Sequence, residues 1–153
     1  MQIDSVDIIR ELLLKDTSSN GFIPSSVERV KKNTNYKDNL KIANDIITKI
    51  NYYKDKDEEA IERRLNELSV EWDIERILEL NASIIILVGL IFGTWINKKF
   101  FLISALAGAF LLQHSIQGWC PPVAPLRKLC IKTPYEIFTE IIALKVLNLQ
   151  NKC

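Results

Sequence analysis

The spacing of apolar residues changes twice along this chain, and each change predicts a different kind of element. Along residues 3–14, Ile3, Val6, Ile9 and Leu13 fall on one stripe of a short amphipathic helix. Thr17 to Gly21, followed by Pro24-Ser25-Ser26, carries turn chemistry, so residues 15–36 read as mostly irregular. Ile42, Ile46, Ile50 and Tyr53 then recur every three or four residues. That spacing predicts a second helix, with Asp38 or Asn39 as its cap. Lys54 to Asp57 forms a polar connector, and Asp57 stands where it can cap a third helix. From Glu58 onward Ile61, Leu65, Leu68 and Trp72 share one face, which then shifts to Ile74, Ile77, Leu78 and Asn81. No Gly or Pro occurs from Glu58 to Val88, so the simplest expectation is one long helix that begins in water and runs into the apolar segment beyond it. A stripe that wanders in this way fits changing surroundings better than a coiled-coil seam.

Beyond Leu80 the alternation of polar and apolar positions disappears. Between Leu80 and Leu126 the only Lys, Arg, Asp or Glu residues are Lys98 and Lys99. The block therefore predicts two apolar spans, about 81–97 and 100–117, joined by a very short basic turn. At ~1.5 Å per residue each is about 25–27 Å long, slightly short of a hydrocarbon core of about 30 Å. The competing reading is a helical hairpin buried in a water-soluble core. Two adjacent helices with no polar face to offer water argue for lipid instead. Gln117 to Pro125 holds one Gly and three Pro, which end the second span and favour an extended exit. Trp95 and Trp119 fall near opposite ends of the pair, where indoles favour the headgroup level. Thr133-Pro134-Tyr135-Glu136 then combines a capping residue, a proline for the first helical position and a capping-box glutamate. It predicts an amphipathic C-terminal helix over about 134–148, lying along the membrane surface or packed on the base of the hairpin.

The fold class expected is thus all-α: a membrane protein with a two-helix transmembrane hairpin, a long helix leading into the first span, and flanking amphipathic helices. Two regions are expected, an acidic and polar helical part with loops over 1–56 and the hairpin region over 57–150. Charge supports the division. Residues 1–80 carry a net −4 and residues 81–153 a net +5, which the overall +1 conceals. That +1 gives no support to nucleic-acid binding. Arg63, Arg64, Arg76, Arg127, Lys128 and Lys132 flank the spans on one side, against Lys98 and Lys99 on the other. Six against two favours two membrane crossings with both termini in the cytoplasm. The first residues, with Asp4 and Glu11 among them and no long apolar run, do not read as a secretory signal.

Candidate chemistry is sparse. There is no Walker loop, no dinucleotide-binding glycine motif, no HExxH and no serine triad pattern. No catalytic residue, cofactor or metal site is therefore assigned. Cys120, Cys130 and Cys153 are unevenly spaced and form neither a disulfide framework nor, with a single His, a zinc set. Cys120, just past the second span, is the one candidate reactive thiol, with Arg127 and Lys128 as nearby cations; the alternative is a small residue packed where the chain turns. His114, with Gln113 beside it, is a candidate polar site within the membrane; the alternative is a hydrogen bond to a neighbouring helix. Gly89 and Gly93 form a GxxxG, and Ser104 and Gly108, like Ala105 and Ala109, repeat the spacing. Small residues at this spacing let helices approach closely, either within the hairpin or across a homodimer seam.

Arg63 to Arg76, the two short spans, Gln117 to Pro122 and the Thr133…Glu136…Lys145 pattern together resemble the YgaP-like transmembrane domain family. The resemblance covers about residues 58–148 and, more loosely, Arg29, Val30, Asn33 and Thr34. It implies a small bacterial inner-membrane protein whose hairpin can dimerise, without a settled activity. In that family the hairpin also occurs fused to rhodanese-type sulfurtransferase domains, and no such domain is legible here. The expectation is a scaffold or interaction module whose partners are the lipid bilayer and a second copy of the chain. The rival is a membrane thiol or sulfur-handling component acting through Cys120 with a separate sulfurtransferase. Transport of a small solute ranks last, because two spans do not enclose a pathway alone.

Overall fold

Helix follows helix throughout the residues that the computed structural model describes, 5–14 and 23–151. The helices are α1 (Ser5–Leu14), α2 (Arg29–Lys32), α3 (Tyr36–Tyr53), α4 (Glu58–Val70), α5 (Ile74–Trp95), α6 (Phe101–Gln117), α7 (Val123–Lys128) and α8 (Pro134–Asn151), with a 3-10 turn at Lys98–Phe100 between α5 and α6. Among the described residues there is no strand. The expectations for Ile3, for the turn at Thr17 to Gly21 and for Cys153 lie partly or wholly outside the described residues, as does anything said of the side chain of Val6.

Most helix starts follow their local sequence. The Asp57 carboxylate accepts from the Ala60 N–H at 3.2 Å and opens α4. Thr133 and Glu136 form the expected capping box, with the Glu136 N–H donating to Thr133 Oγ1 at 3.2 Å and the Thr133 N–H to Glu136 Oε2 at 2.8 Å. The cap of α3 is a correction. Asn35, rather than Asp38 or Asn39, accepts from the Lys37 N–H at 2.9 Å. Asn39 is engaged elsewhere: its amide donates to the Lys31 carbonyl and its oxygen accepts from Arg127.

The expected unbroken helix from residue 58 is also corrected. Residues 71–73 interrupt it and separate α4 from α5. Asp73 accepts from the Arg76 N–H at 2.8 Å and so caps a new helix. The Ile74 N–H donates to the Lys132 carbonyl at 2.9 Å, and the Glu71 carboxylate lies 3.1 Å from Lys132 Nζ. A tertiary partner arriving from beyond the second span thus supplies what the helical ladder gives up.

α5 and α6 run side by side, and their packing is steric at two glycines. A side-chain carbon on Gly89 would collide with Ser104, and one on Gly93 would press on the Phe101 ring at 2.7 Å. Ser104 Oγ donates to the Ile86 carbonyl at 3.0 Å across the pair. The outer faces are apolar and open, with Ile84, Leu87, Ile91, Leu102 and Leu106 all exposed. Only 17% and 11% of the residues in the most apolar windows of the two segments are buried. A core hairpin of a water-soluble protein would be mostly buried, so the exposed flanks belong to lipid.

On one side of this pair α1, α3, α4 and α8 close around Ile9, Leu13, Ile42, Ile46, Ile50, Ile61, Leu68, Ile137, Leu144 and Leu147. α8 is therefore not simply laid along a surface: Glu140 and Leu144 are buried within this layer, while Phe138, Ile142 and Leu149 are exposed. A smaller core of Val30, Ile74, Leu78, Cys120 and Val123 joins the layer to the foot of the pair. Buried ions tie the parts together. Arg127, 0% exposed, makes a two-pronged bond to Glu136 at 2.6 and 2.7 Å and a third to Asn39 at 2.8 Å. Glu140, also 0% exposed, accepts from Arg64 at 2.8 Å and Lys132 at 2.7 Å. Three of the six basic residues that flank the spans thus serve as fixed internal cations.

Candidate functional site

An α-helix leaves its last carbonyls without partners, and α6 ends at the foot of the span. Gly118 stops the helix in the left-handed conformation, φ +75°, with its N–H donating to the His114 carbonyl at 2.7 Å. α2 and its C-cap, Asn33, then supply the missing donors. Arg29 Nη1 donates to the Ser115 carbonyl and Asn33 Nδ2 to the Gln117 carbonyl, both at 2.7 Å. A cation here also complements the negative end of the helix dipole. The approach is so close that a side-chain carbon on Gly118 would run into the Arg29 backbone.

Arg29 connects this cap to the first span. Its Nη2 lies 3.1 Å from Glu75 Oε1, and Glu75 Oε2 lies 2.8 Å from His114 Nε2. Glu75 stands in the first turn of α5, before the apolar run. An ionised carboxylate only accepts, which places a proton on Nε2. His114 is 3% exposed, and its Nδ1 is buried without a partner; so is Arg29 Nε. A cleft of about 380 Å³ opens beside these groups, lined by Arg29, Glu75, Glu79, Gly108, Leu112 and His114 among others. A smaller apolar cavity of about 180 Å³ touches His114 and reaches Cys120, Phe110 and Pro121. The arrangement holds an imidazole in one orientation at the boundary between charged and apolar chain.

The other sequence candidates separate into different environments. Cys120 is buried among Val30, Leu78 and Val123, and burial pushes its thiol pKa up. Gln113, beside His114, is half-buried, and its side chain makes no hydrogen bond among the described residues. Gly89, Gly93 and Ser104 lie between α5 and α6, whereas Gly108 has nothing within 4 Å of where a side chain would begin. Among the described residues no group of three or more His, Cys, Asp or Glu is placed to hold a metal ion. Sequence reasoning missed Arg29 and Glu75 as site residues. Arg29 bonds the Ser115 carbonyl across 86 positions and Glu75 bonds His114 across 39, and no local spacing signals such pairings.

Residues 73–135 match the family model of the inner membrane protein YgaP-like, transmembrane domain. The match opens on Asp73, the cap of α5, and ends in the first turn of α8. It takes in both apolar helices together with Glu75, His114, Cys120 and Arg127. No curated protein and no solved structure matches the chain.

Proposed function

We propose that this chain, an integral membrane protein whose residues 73–135 match the YgaP-like transmembrane domain model, acts as a scaffold that associates through the open face of α6. One observation carries this reading. The small residues of the two spans divide into a used set and a free set. Gly89, Gly93 and Ser104 are consumed by packing within the pair, while Gly108 is unobstructed and Ala105 and Ala109 are exposed. Small side chains with no intramolecular use leave room for a second helix to approach. The bilayer supplies the environment, and a second copy of the chain is the partner. The inner membrane is the location proposed, with both termini in the cytoplasm, on the side of Arg64 and the buried Arg127 and Lys132. Protease protection of each terminus in spheroplasts and in inverted vesicles tests that orientation.

The test of association is disulfide crosslinking in native membranes. An Ala105→Cys variant in a background where Cys120, Cys130 and Cys153 are Ser is expected to give a dimer band. The same change at Ile91, on α5, is expected to give much less. A protein that stays monomeric and uncrosslinked from either helix refutes the reading. The thiol or sulfur-handling alternative has less in its favour, since Cys120 is buried with a raised thiol pKa. Impaired tolerance of sulfur compounds in a Cys120→Ser strain is the result that would restore it.

A further inference from the structure

The lipid-facing belt of the helix pair is short, and the fold gives it few means of lengthening. On α5 the charge-free run begins at Leu80 and the helix ends at Trp95, which makes about 24 Å at ~1.5 Å per residue. α6 makes about 25 Å. A usual hydrocarbon core is about 30 Å thick.

Neither helix can slide along the other to share the shortfall. Gly89 and Gly93 seat Ser104 and the Phe101 ring, and Ser104 bonds the Ile86 carbonyl. Neither helix adds a turn at the far end. The Ile96 and Asn97 N–H groups both close on the Phe92 carbonyl, and the Asn97 side chain accepts from the Lys99 N–H at 3.0 Å, so the chain has already turned. At the foot, Gly118 stops α6. Tilt helps a span that is too long, not one that is too short.

Snorkelling remains, and it serves one end only. Lys98 and Lys99 are exposed, and their long stems can carry the charge outward to the headgroups. At the opposite end stands Glu79, exposed, shorter, and in no ion pair among the described residues. An unpaired carboxylate drawn into hydrocarbon is costly. The next charged residue toward the foot, Arg76, lies three positions earlier and stacks on the Trp72 ring at 4.7 Å. Glu79 is therefore the charge that limits how thick a bilayer the pair can cross.

We propose that the helix pair selects thin bilayer, with Glu79 setting the limit. Its lipid-facing belt fits a hydrocarbon core of about 25 Å and gathers lipids of shorter acyl chain than the usual core supplies. The selection belongs to a single copy of the chain and does not depend on association.

The experiment uses the full chain, one copy per nanodisc. Each disc mixes a brominated eighteen-carbon phosphatidylcholine with unbrominated phosphatidylcholine of fourteen, sixteen, eighteen or twenty-two carbons. Trp95 and Trp119 are 86% and 41% exposed, so relief of tryptophan quenching reports which lipid displaces the brominated one. Sixteen carbons is expected to bind best, about twofold over eighteen, because the small cost per Å is shared among the surrounding lipids. Glu79→Leu carries the charge-free run back to Ile77, a gain of about 4.5 Å. It is expected to move the preference to eighteen carbons without lowering the thermal midpoint, since position 79 is exposed. Glu62→Leu, at an exposed position on α4 outside the belt, is expected to leave the preference at sixteen. A flat dependence on chain length overturns the proposal, as does an optimum at eighteen carbons or more in the unaltered chain. An optimum that Glu79→Leu leaves in place, or that Glu62→Leu moves equally, overturns it too.

Discussion

Gly118 shows how much one residue decides at the foot of the spans. Its left-handed backbone and its contact with Arg29 both exclude a side chain. Gly118→Ala is expected to cost about 1–3 kcal/mol, the usual scale of such strain, read as a lower thermal midpoint in detergent. Nothing around it distinguishes this glycine from an ordinary helix stop, because the residue it meets is 89 positions away in sequence. Cys120 is the opposite case, since its chemistry changes by burial alone. A thiol pKa pushed up means less thiolate at neutral pH than an open cysteine carries, with reactivity rising as the pH rises. In a Cys130→Ser, Cys153→Ser background, maleimide is expected to label Cys120 slowly in intact membranes and quickly in denaturant. Fast labelling in intact membranes at neutral pH counters the packed geometry.

At the scale of elements, the glycines of α5 and α6 have different tasks. Gly89→Leu and Gly93→Leu are expected to separate the two helices and lower the thermal midpoint of the monomer, because Ser104 and the Phe101 ring occupy the space. Gly108→Leu meets open space, so the midpoint is expected to hold while crosslinking from Ala105 falls. The GxxxG spacing is visible in sequence, but which surface it serves is not, because the spacing is the same for a partner within the chain or outside it. Caps behaved differently. Asp57 and Thr133 were legible because each bonds a backbone group three residues on. The α4–α5 break escaped because its signal, Asp73, resembles any acid in a helical run until Lys132 is beside it. Buried ions are a further tie between elements. Arg127→Met strands Glu136 and is expected to cost about 3–5 kcal/mol by denaturation, with the double change R127M/E136L recovering part of the loss.

On the scale of the molecule, the charge-free block was the strongest signal and the structure agrees with it: the apolar helices keep their outer faces open. The protein is expected to stay in the pellet after alkaline carbonate extraction of membranes, and release into the supernatant contradicts the lipid-exposed flanks. What sequence did not disclose is that the polar helices and α8 share one core, because burial there is decided by contacts between residues as distant as Ile9 and Leu147.

That shared core sets a timetable for biogenesis. α1, α3 and α4 leave the ribosome before either span, yet Ile46, Ile61 and Leu68 are covered only once Leu144 and Leu147 have arrived. The polar layer therefore has no finished state until the nascent chain has threaded both apolar rods through the insertion machinery and emerged again. A transcript stopped before Pro134 should yield a polypeptide that inserts into the bilayer and still reaches the quality-control proteases with its greasy interior uncovered.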